Sequence, residues 1–156
     1  MIRRACTDDY TKILSLWLKE SSAAHPFIKE DYWANNQEMV KTQLLPQAQT
    51  YVFCDKHQIK GFISLLENNY VGALFVDGRF QGRGIGRKLL EYVRRRRPNL
   101  SLKAYAQNEK ALGFYRRKGF KILSENMDNK TQAKELLLVW NKGCISGYAK
   151  RFPGDS

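Results

Sequence analysis

The sequence contains few residues of the kinds that build metal centres and disulfide frameworks. Its 156 residues include only three cysteines and two histidines. The cysteines, Cys6, Cys54 and Cys144, are odd in number and lack the spacing of metal ligands, and His25 and His57 lie far apart. We therefore predict that no metal is bound and that the cysteines are free thiols in a reducing cytoplasm.

Long apolar stretches are also missing. No run approaches the ~18 apolar residues that a transmembrane helix needs. The basic start of the chain, residues 1–5, is not followed by the apolar segment of a signal peptide. We accordingly expect a cytoplasmic protein without a membrane partner. A hydrophobic content of 43% with 12% aromatic residues favours one packed domain over residues 1–140. We expect the polar, glycine-rich residues 141–156 to form a flexible tail.

Acidic residues are scarce relative to basic ones. Lysine and arginine number 27 against 15 aspartates and glutamates, which gives a formal net charge of +12. Basic residues concentrate between Arg83 and Arg97, and four of them form the run Arg94-Arg95-Arg96-Arg97. Two interpretations stay open. The run is either a solvated helix end, where cations are favourable, or a site for an anionic partner such as nucleic acid or a polyphosphate cofactor.

Hydrophobic periodicity predicts a mixed α/β domain with the element order β-α-α-β-β-β-α-β-α-β-β. Hairpins dominate its middle and end, so a continuous doubly wound sheet is disfavoured. The principal predicted boundaries are a helix over residues 30–45, strands over 51–54, 59–66 and 70–76, a helix over 84–97, a strand over 100–106, a helix over 108–118, and strands over 120–124 and 135–140 around a polar hairpin, 125–134.

A glycine-rich segment, residues 81–87, joins a strand-like run to a helix-like run; we refer to it as the glycine turn. Its three glycines, Gly82, Gly84 and Gly86, allow a tight turn and let several N–H groups point at one anion at a helix start. The spacing is not that of a Rossmann G-x-G-x-x-G motif, and no G-K-[ST] follows as in a Walker motif. The segment therefore predicts a site for a phosphorylated cofactor of another kind.

A second segment lies downstream of the glycine turn. It places Asn108 at a helix start directly after a strand, and Ala111 one turn before Phe114 and Tyr115. Together with Gln81-x-x-Gly84-x-Gly86, this segment resembles the GNAT superfamily of acetyl-CoA-dependent N-acetyltransferases. The resemblance covers residues 2–140 and includes the order of elements. The segment His25-Pro26-Phe27-Ile28 is similar to that of small bacterial members of the superfamily.

The resemblance implies a fold, a cofactor and the residues that bind it. The fold would be a single-domain GNAT fold with about four helices, whose central mixed, mostly antiparallel sheet splays apart at the cofactor cleft. The glycine turn would hold the pyrophosphate of acetyl-CoA, and a strand would pair with its pantetheine arm. The residues expected to bind acetyl-CoA are Leu74, Phe75, Val76, Gln81, Gly82, Arg83, Gly84, Ile85, Gly86, Arg87 and Asn108.

The resemblance also implies catalytic roles. Tyr115 would protonate the leaving thiolate as a general acid. The general base stays open between Glu67, His25 and water relays reaching them, and Tyr70 would line the acceptor cleft. Each of these residues has a structural alternative: Tyr115, Tyr70 and His25 could be packing residues, and Glu67 an exposed strand end.

The acceptor is not readable from the sequence. The resemblance favours direct attack by a primary amine in a ternary complex, with a protein lysine or N-terminal amine as the acceptor. A small-molecule amine and aminoacyl-tRNA remain alternatives, and so does a non-catalytic CoA-binding module. Nucleic acid is a possible but disfavoured partner. The protein is expected to be a monomer or a homodimer.

Overall fold

The structure, a computed structural model, describes residues 1–143. The predicted order of elements and the mixed α/β class are confirmed. The tail predicted over residues 141–156 lies, from residue 144 onward, outside the described residues. The elements are β1 Ile2–Arg4, α1 Tyr10–Ala24, α2 Glu30–Met39, β2 Gln49–Asp55, β3 Gln58–Leu66, β4 Tyr70–Val76, α3 Ile85–Arg94, β5 Asn99–Tyr105, α4 Glu109–Arg117, β6 Lys121–Asp128 and β7 Ala133–Asn141.

Seven strands form one sheet in the order β1-β2-β3-β4-β5-β7-β6, and β4–β5 is the parallel pair in it. These two strands pair only where they begin: Tyr70 lies opposite Ser101, and Val71 opposite Leu102. Beyond Val71, no β5 residue pairs with β4. The sheet is therefore mostly antiparallel and splays apart at its centre, as the GNAT resemblance implied.

A bulge in β4 coincides with the point of splaying. Leu65 of β3 faces Val71, whereas Ser64 faces Ala73, which leaves Gly72 without an opposite residue. A bulge bends a strand and increases its twist. The bend turns β4 away from β5, so the backbone of residues 72–76 has no neighbouring strand on that side.

Helices cover both faces of the sheet. On one face, α1 and α2 bury a core that includes Ile13, Trp17 and Trp33. On the other, α3 packs through Leu89, Leu90 and Val93, none of which is exposed. Each such side chain contributes about 1.5–3 kcal/mol by leaving water. The two cores hold both halves of the sheet in place around the splay.

Three elements have a predicted boundary that differs from the structure by three or more residues. The second helix ends at Met39, but a wider helical turn, Val40–Leu44, carries the chain to its predicted end. The third helix ends at Arg94, so residues 95–97 follow it as a link to Pro98. The polar hairpin was predicted too wide, because β6 continues to Asp128. As an edge strand that is exposed over most of its length, β6 needs no alternating apolar pattern.

None of the helices in residues 1–143 combines the length and the apolar character required to cross a bilayer.

Candidate active site

The splay between β4 and β5 opens into a cleft of about 790 Å³, the main cleft. Its walls are the end of β4, the glycine turn, the beginnings of α3 and α4, and the chain that follows α1. The structure brings together here most of the residues predicted for acetyl-CoA and catalysis, namely Leu74, Phe75, Val76, Gln81, Gly82, Gly84, Ile85, Gly86, Arg87, Asn108 and Tyr115. The side chain of Arg83 instead lies over the ring of Phe80, 5.5 Å from its centre.

The glycine turn has a geometry that suits anion binding. Gly82 and Gly84 have φ angles of +80° and +82°, which L-residues with a side chain rarely adopt. Gly84 caps the start of α3, where the free N–H groups of the first turn carry partial positive charge. A Cβ atom on Gly84 would lie 3.2 Å from an Arg87 guanidinium nitrogen. The guanidinium of Arg87 therefore folds back over the turn.

Glu20 supports the glycine turn from α1, although it is not among the site residues predicted from the sequence. Its carboxylate is buried; Oε2 accepts from the backbone N–H of Gly78 at 2.9 Å, and Oε1 accepts from Gln81 Nε2 at 3.3 Å. Gln81 Nε2 also donates to the Val76 carbonyl at 3.0 Å. A signal was present in the sequence, since Glu20 follows Ile13 and Trp17 on the apolar face of α1 at helical spacing.

Asp77 anchors the chain between β4 and the glycine turn. Its buried carboxylate accepts from Arg79 Nη2 at 2.9 Å and from the Arg79 backbone N–H at 3.0 Å, and Lys19 Nζ lies 3.4 Å away. These contacts, led by the Arg79 side-chain hydrogen bond, hold the pKa of Asp77 well below its usual range. Asp77 is therefore ionised at neutral pH and fixes the start of the turn.

The start of α4 places Asn108 on the wall of the main cleft. Asn108 Oδ1 accepts from the Ala111 backbone N–H at 3.2 Å, which caps the helix. Its amide nitrogen Nδ2 lies 3.4 Å from His25 Nε2. Asn108 therefore links the first turn of α4 to the loop that follows α1.

Tyr115 lies two turns along α4, on the side that lines the main cleft. Its ring packs edge-on against Phe114 at 5.2 Å and Phe120 at 5.4 Å. Burial raises the pKa of its phenol well above the ordinary value of 10.0, because the charged phenolate would be desolvated. The phenol is therefore protonated at neutral pH, the state required of a proton donor.

His25 is buried behind the wall of the main cleft, in a box of aromatic rings that we call the aromatic box. Trp33 stacks on the imidazole at 4.9 Å between centres, while Tyr105 and Phe27 meet it edge-on at 5.2 and 5.7 Å. His25 Nδ1 lies 2.7 Å from the Ser21 carbonyl oxygen. Burial lowers the pKa of the imidazole, so its neutral form is favoured.

Glu67 and Tyr70 lie apart from the residues of the main cleft. With Gln47 and Leu66 they line a second depression of about 560 Å³, the Tyr70 hollow. Glu67 is exposed in the turn between β3 and β4, and Tyr70 is half-buried at the paired beginning of β4. The structure thus groups these two residues with each other and away from Asn108 and Tyr115.

Carboxylates and phenols accumulate near Tyr70 on the same face of the sheet. The Tyr105 hydroxyl donates to Asp128 Oδ2 at 2.8 Å, and Tyr105 pairs with Glu135 in the β5–β7 register. Burial, followed by the negative charge of Asp128, raises the pKa of Glu135. The pKa values of Tyr70 and Tyr32 are also raised. Burial is the main cause for both, and the negative charge of Glu135 adds to it. The carboxylates of Asp128 and Glu135 thus lie on this surface, where Lys103 partly offsets the charge of Glu135.

The basic run is largely engaged within the protein. Arg94 donates to the Lys118 carbonyl, forms an ion pair with Glu91 at 3.0 Å and lies over the Trp140 ring at 4.7 Å. Arg96 lies 3.6 Å from the centre of the Tyr92 ring, and Arg97 donates to Gln49 at 2.7 Å. These contacts favour a structural role for the run over an anion-binding one.

Metal ligands do not come together in the part of the chain that the structure describes: residues 1–143 contain no group of three or more histidine, cysteine, aspartate or glutamate side chains suited to a metal ion. Cys6 and Cys54 are free thiols, and Cys144 lies outside the described residues.

Comparison with known proteins connects this geometry to a family. A family model described as an acetyltransferase (GNAT) domain matches residues 19–133. The chain is 36% identical over 140 residues to the peptidyl-lysine N-acetyltransferase YiaC of Escherichia coli (strain K12). The matched region covers 90% of this chain and 96% of that protein. The chain is 34% identical over 122 residues to the peptidyl-lysine N-acetyltransferase YjaB of Salmonella typhimurium, covering 78% and 83%. The solution structure of apo YjaB from Escherichia coli matches with a TM-score of 0.78 at 30% identity, covering 90% of this chain and 96% of that one.

Proposed function

Because the chain belongs to the GNAT family of acetyltransferases, we propose that it acetylates the ε-amine of a protein lysine. Acetyl-CoA-dependent transfer to an amine is the activity of this family, and the lysine acceptor is the finer assignment. One observation carries the proposal: a single cleft joins the glycine turn, the unpaired backbone of β4 and the protonated phenol of Tyr115.

The residues of the main cleft fit acetyl-CoA as the donor. The N–H groups at the start of α3 and the guanidinium of Arg87 would bind the pyrophosphate. The backbone of residues 72–76 lacks a strand on its β5 side and would hydrogen-bond the pantetheine arm as it would an added strand. Asn108 would donate to the same arm. A backbone N–H of Leu74, Phe75 or Val76 would stabilise the oxyanion that forms on the thioester oxygen.

Tyr115 would serve as the general acid of direct transfer. The lysine nitrogen forms a bond to the thioester carbon, the carbon–sulfur bond breaks, and the phenol gives its proton to the departing thiolate. The amine loses a proton to a base or to water, and Tyr115 regains one from solvent. No enzyme nucleophile is required, because donor and acceptor would meet directly in one ternary complex.

The acceptor would approach the splay between β4 and β5 from the side of the Tyr70 hollow. A lysine arrives as an ammonium ion, and the carboxylate of Glu135 near Tyr70 would attract it, together with Asp128 beside Tyr105. The ammonium must then lose a proton. Glu67 remains a candidate for the general base. Glu135 is a second candidate, because its raised pKa lies closer to neutral pH than that of an ordinary glutamate. The names of YiaC and YjaB, both peptidyl-lysine N-acetyltransferases, support a lysine acceptor.

A panel of acceptors tests the assignment. The enzyme is incubated with acetyl-CoA and, separately, a lysine-containing peptide, the same peptide with its lysines dimethylated, a polyamine, or aminoacyl-tRNA. Thiol release and acceptor mass are measured together. We expect release and a mass gain of one acetyl group with the unmodified peptide alone. Release with only the polyamine or only aminoacyl-tRNA would reject the lysine assignment, and acetyl-CoA binding without transfer to any acceptor would favour a non-catalytic module.

A further inference from the structure

We propose that His25 is a positioning residue, which fixes the side-chain amide of Asn108 in the orientation that binds the acetyl-CoA arm. The proposal rests on the proposed function in one respect, the assignment of Asn108 to the donor site. It departs from the role of general base considered for His25 from the sequence, since the imidazole is buried in the aromatic box behind the cleft wall.

The tautomer of His25 follows from its partner on α1. A carbonyl oxygen only accepts hydrogen bonds, so Nδ1, at 2.7 Å from the Ser21 oxygen, must carry the hydrogen. The imidazole is neutral in its apolar surroundings, so Nε2 then has a lone pair and no hydrogen. His25 Nε2 is therefore an acceptor directed at the amide of Asn108.

The orientation of Asn108 is then determined on both sides. Oδ1 accepts from the Ala111 N–H at 3.2 Å, and Nδ2 donates to His25 Nε2 at 3.4 Å. A flip of the amide would place Oδ1 against the lone pair of Nε2 and Nδ2 against an N–H donor. Both contacts would become repulsive, so only the observed orientation satisfies the network. The second hydrogen of Nδ2 remains free for a ligand.

The aromatic box makes His25 a fixed reference point. Its rings come from three parts of the chain: Trp33 from α2, Tyr105 from the end of β5 and Phe27 from the loop after α1. His25 and Asn108 are 83 positions apart in the sequence, so this hydrogen bond connects the end of α1 to the start of α4. A histidine that served only for packing would be replaceable by phenylalanine without consequence for the donor.

A double-mutant cycle tests this coupling. The affinity for CoA is measured by calorimetry for the wild type, His25→Phe, Asn108→Ala and the double variant. Loss of one hydrogen bond corresponds to roughly 2- to 10-fold weaker binding. We expect each single change to weaken CoA binding and His25→Phe to add nothing once Asn108 is absent. Unchanged affinity in His25→Phe, or losses that multiply in the double variant, would overturn the proposal.

A second measurement does not depend on how well a His25 variant folds. His25 and His57 are the only histidines, and His57 is exposed with φ +64°, a conformation that asparagine tolerates. In ¹⁵N-labelled His57→Asn protein, long-range ¹H–¹⁵N spectra report His25 alone. A neutral ring protonated at Nδ1 is expected, and a ring protonated at Nε2 would refute the proposal. Neither experiment uses an acceptor, so failure of the lysine assignment would leave both outcomes intact.

Discussion

Tyr115 and His25 are both buried titratable residues, and burial drives their pKa values in opposite directions. Desolvation penalises the charged form of each group, which is the phenolate for tyrosine and the imidazolium for histidine. The pKa of Tyr115 is therefore raised and that of His25 lowered. At neutral pH, Tyr115 retains a proton that it can donate, while His25 Nε2 has only a lone pair. Their different proposed roles follow from this difference.

Replacing Tyr115 with phenylalanine tests its role as the general acid. The ring and its packing on Phe114 and Phe120 are kept, and only the proton donor is lost. We expect turnover to fall by about 100-fold or more while CoA affinity changes little. Tyr92→Phe, on α3 and away from the lining of the main cleft, is the matched control and should keep full turnover. Equal turnover in wild type and Tyr115→Phe would contradict the assignment.

The depressed pKa of His25 predicts a pH dependence of stability. In the unfolded chain the imidazole has its ordinary pKa of about 6.5. The folded protein binds a proton at His25 less readily than the unfolded chain. The contribution of neutral His25 to the free energy of unfolding is therefore complete above pH ~6.5. It is lost as the pH falls below that value toward the pKa of the folded protein. Tyr105 is the titratable group in ring contact with His25, and it stays neutral throughout this range.

Urea unfolding of the wild type and His25→Phe between about pH 7.5 and 5 measures this contribution, because other groups affect both proteins equally. The difference in the free energy of unfolding between the wild type and His25→Phe should shrink as the pH is lowered. A difference that grows at low pH would mean that the folded protein favours the charged imidazole.

At the level of elements, the glycine turn needs glycine where its φ angles are positive. Gly84→Ala places a Cβ atom in a strained conformation and 3.2 Å from the Arg87 guanidinium. We expect a loss of about 1–2 kcal/mol in the free energy of unfolding and a raised KM for acetyl-CoA, because the anion-binding N–H groups shift.

Gly113→Ala is the matched control for Gly84→Ala. Gly113 lies inside α4, and an added Cβ would meet only the flexible end of Arg117. Alanine should stabilise the helix by up to about 1 kcal/mol and leave the KM for acetyl-CoA unchanged. A KM that is equally raised in both variants would show that the turn conformation is not the cause.

Local signals were readable from the sequence, and long-range partners were not. The glycine turn, Asn108 and Tyr115 stand in fixed positions relative to a strand end or a helix start, so the local pattern predicted their elements, while the GNAT resemblance implied that they share one cleft. Glu20 is 58 residues from Gly78, its hydrogen-bond partner, and no local pattern joins the two. The end of β6 was missed because an exposed edge strand has no apolar alternation.

At the level of the whole molecule, part of the positive charge connects elements of the fold. Arg94 joins the end of α3 to the end of α4 through the Lys118 carbonyl and to β7 through Trp140, whereas the guanidinium of Arg95 is exposed. Arg94→Ala should therefore lower the free energy of unfolding by about 1–3 kcal/mol, and Arg95→Ala by less than about 0.5 kcal/mol. Urea denaturation measures the free energy of unfolding of both variants.

A reduced salt dependence of tRNA binding in Arg95→Ala would instead indicate that residues 94–97 bind nucleic acid.

The whole sheet is continuous where β4 and β5 begin and divided where the bulge at Gly72 turns them apart. This division puts a free strand edge, a helix start and the phenol of Tyr115 around one cleft. We propose that acetyl-CoA, the donor, occupies the space between the diverging strands.

Hydrogen–deuterium exchange with and without CoA tests that claim in one measurement. A ligand that hydrogen-bonds the free edge of β4 and the N–H groups of α3 slows exchange where it binds. We expect protection in residues 74–76, 82–87 and 108–115 together. Protection confined to residues 66–70 of the Tyr70 hollow, or none along β4, would contradict it.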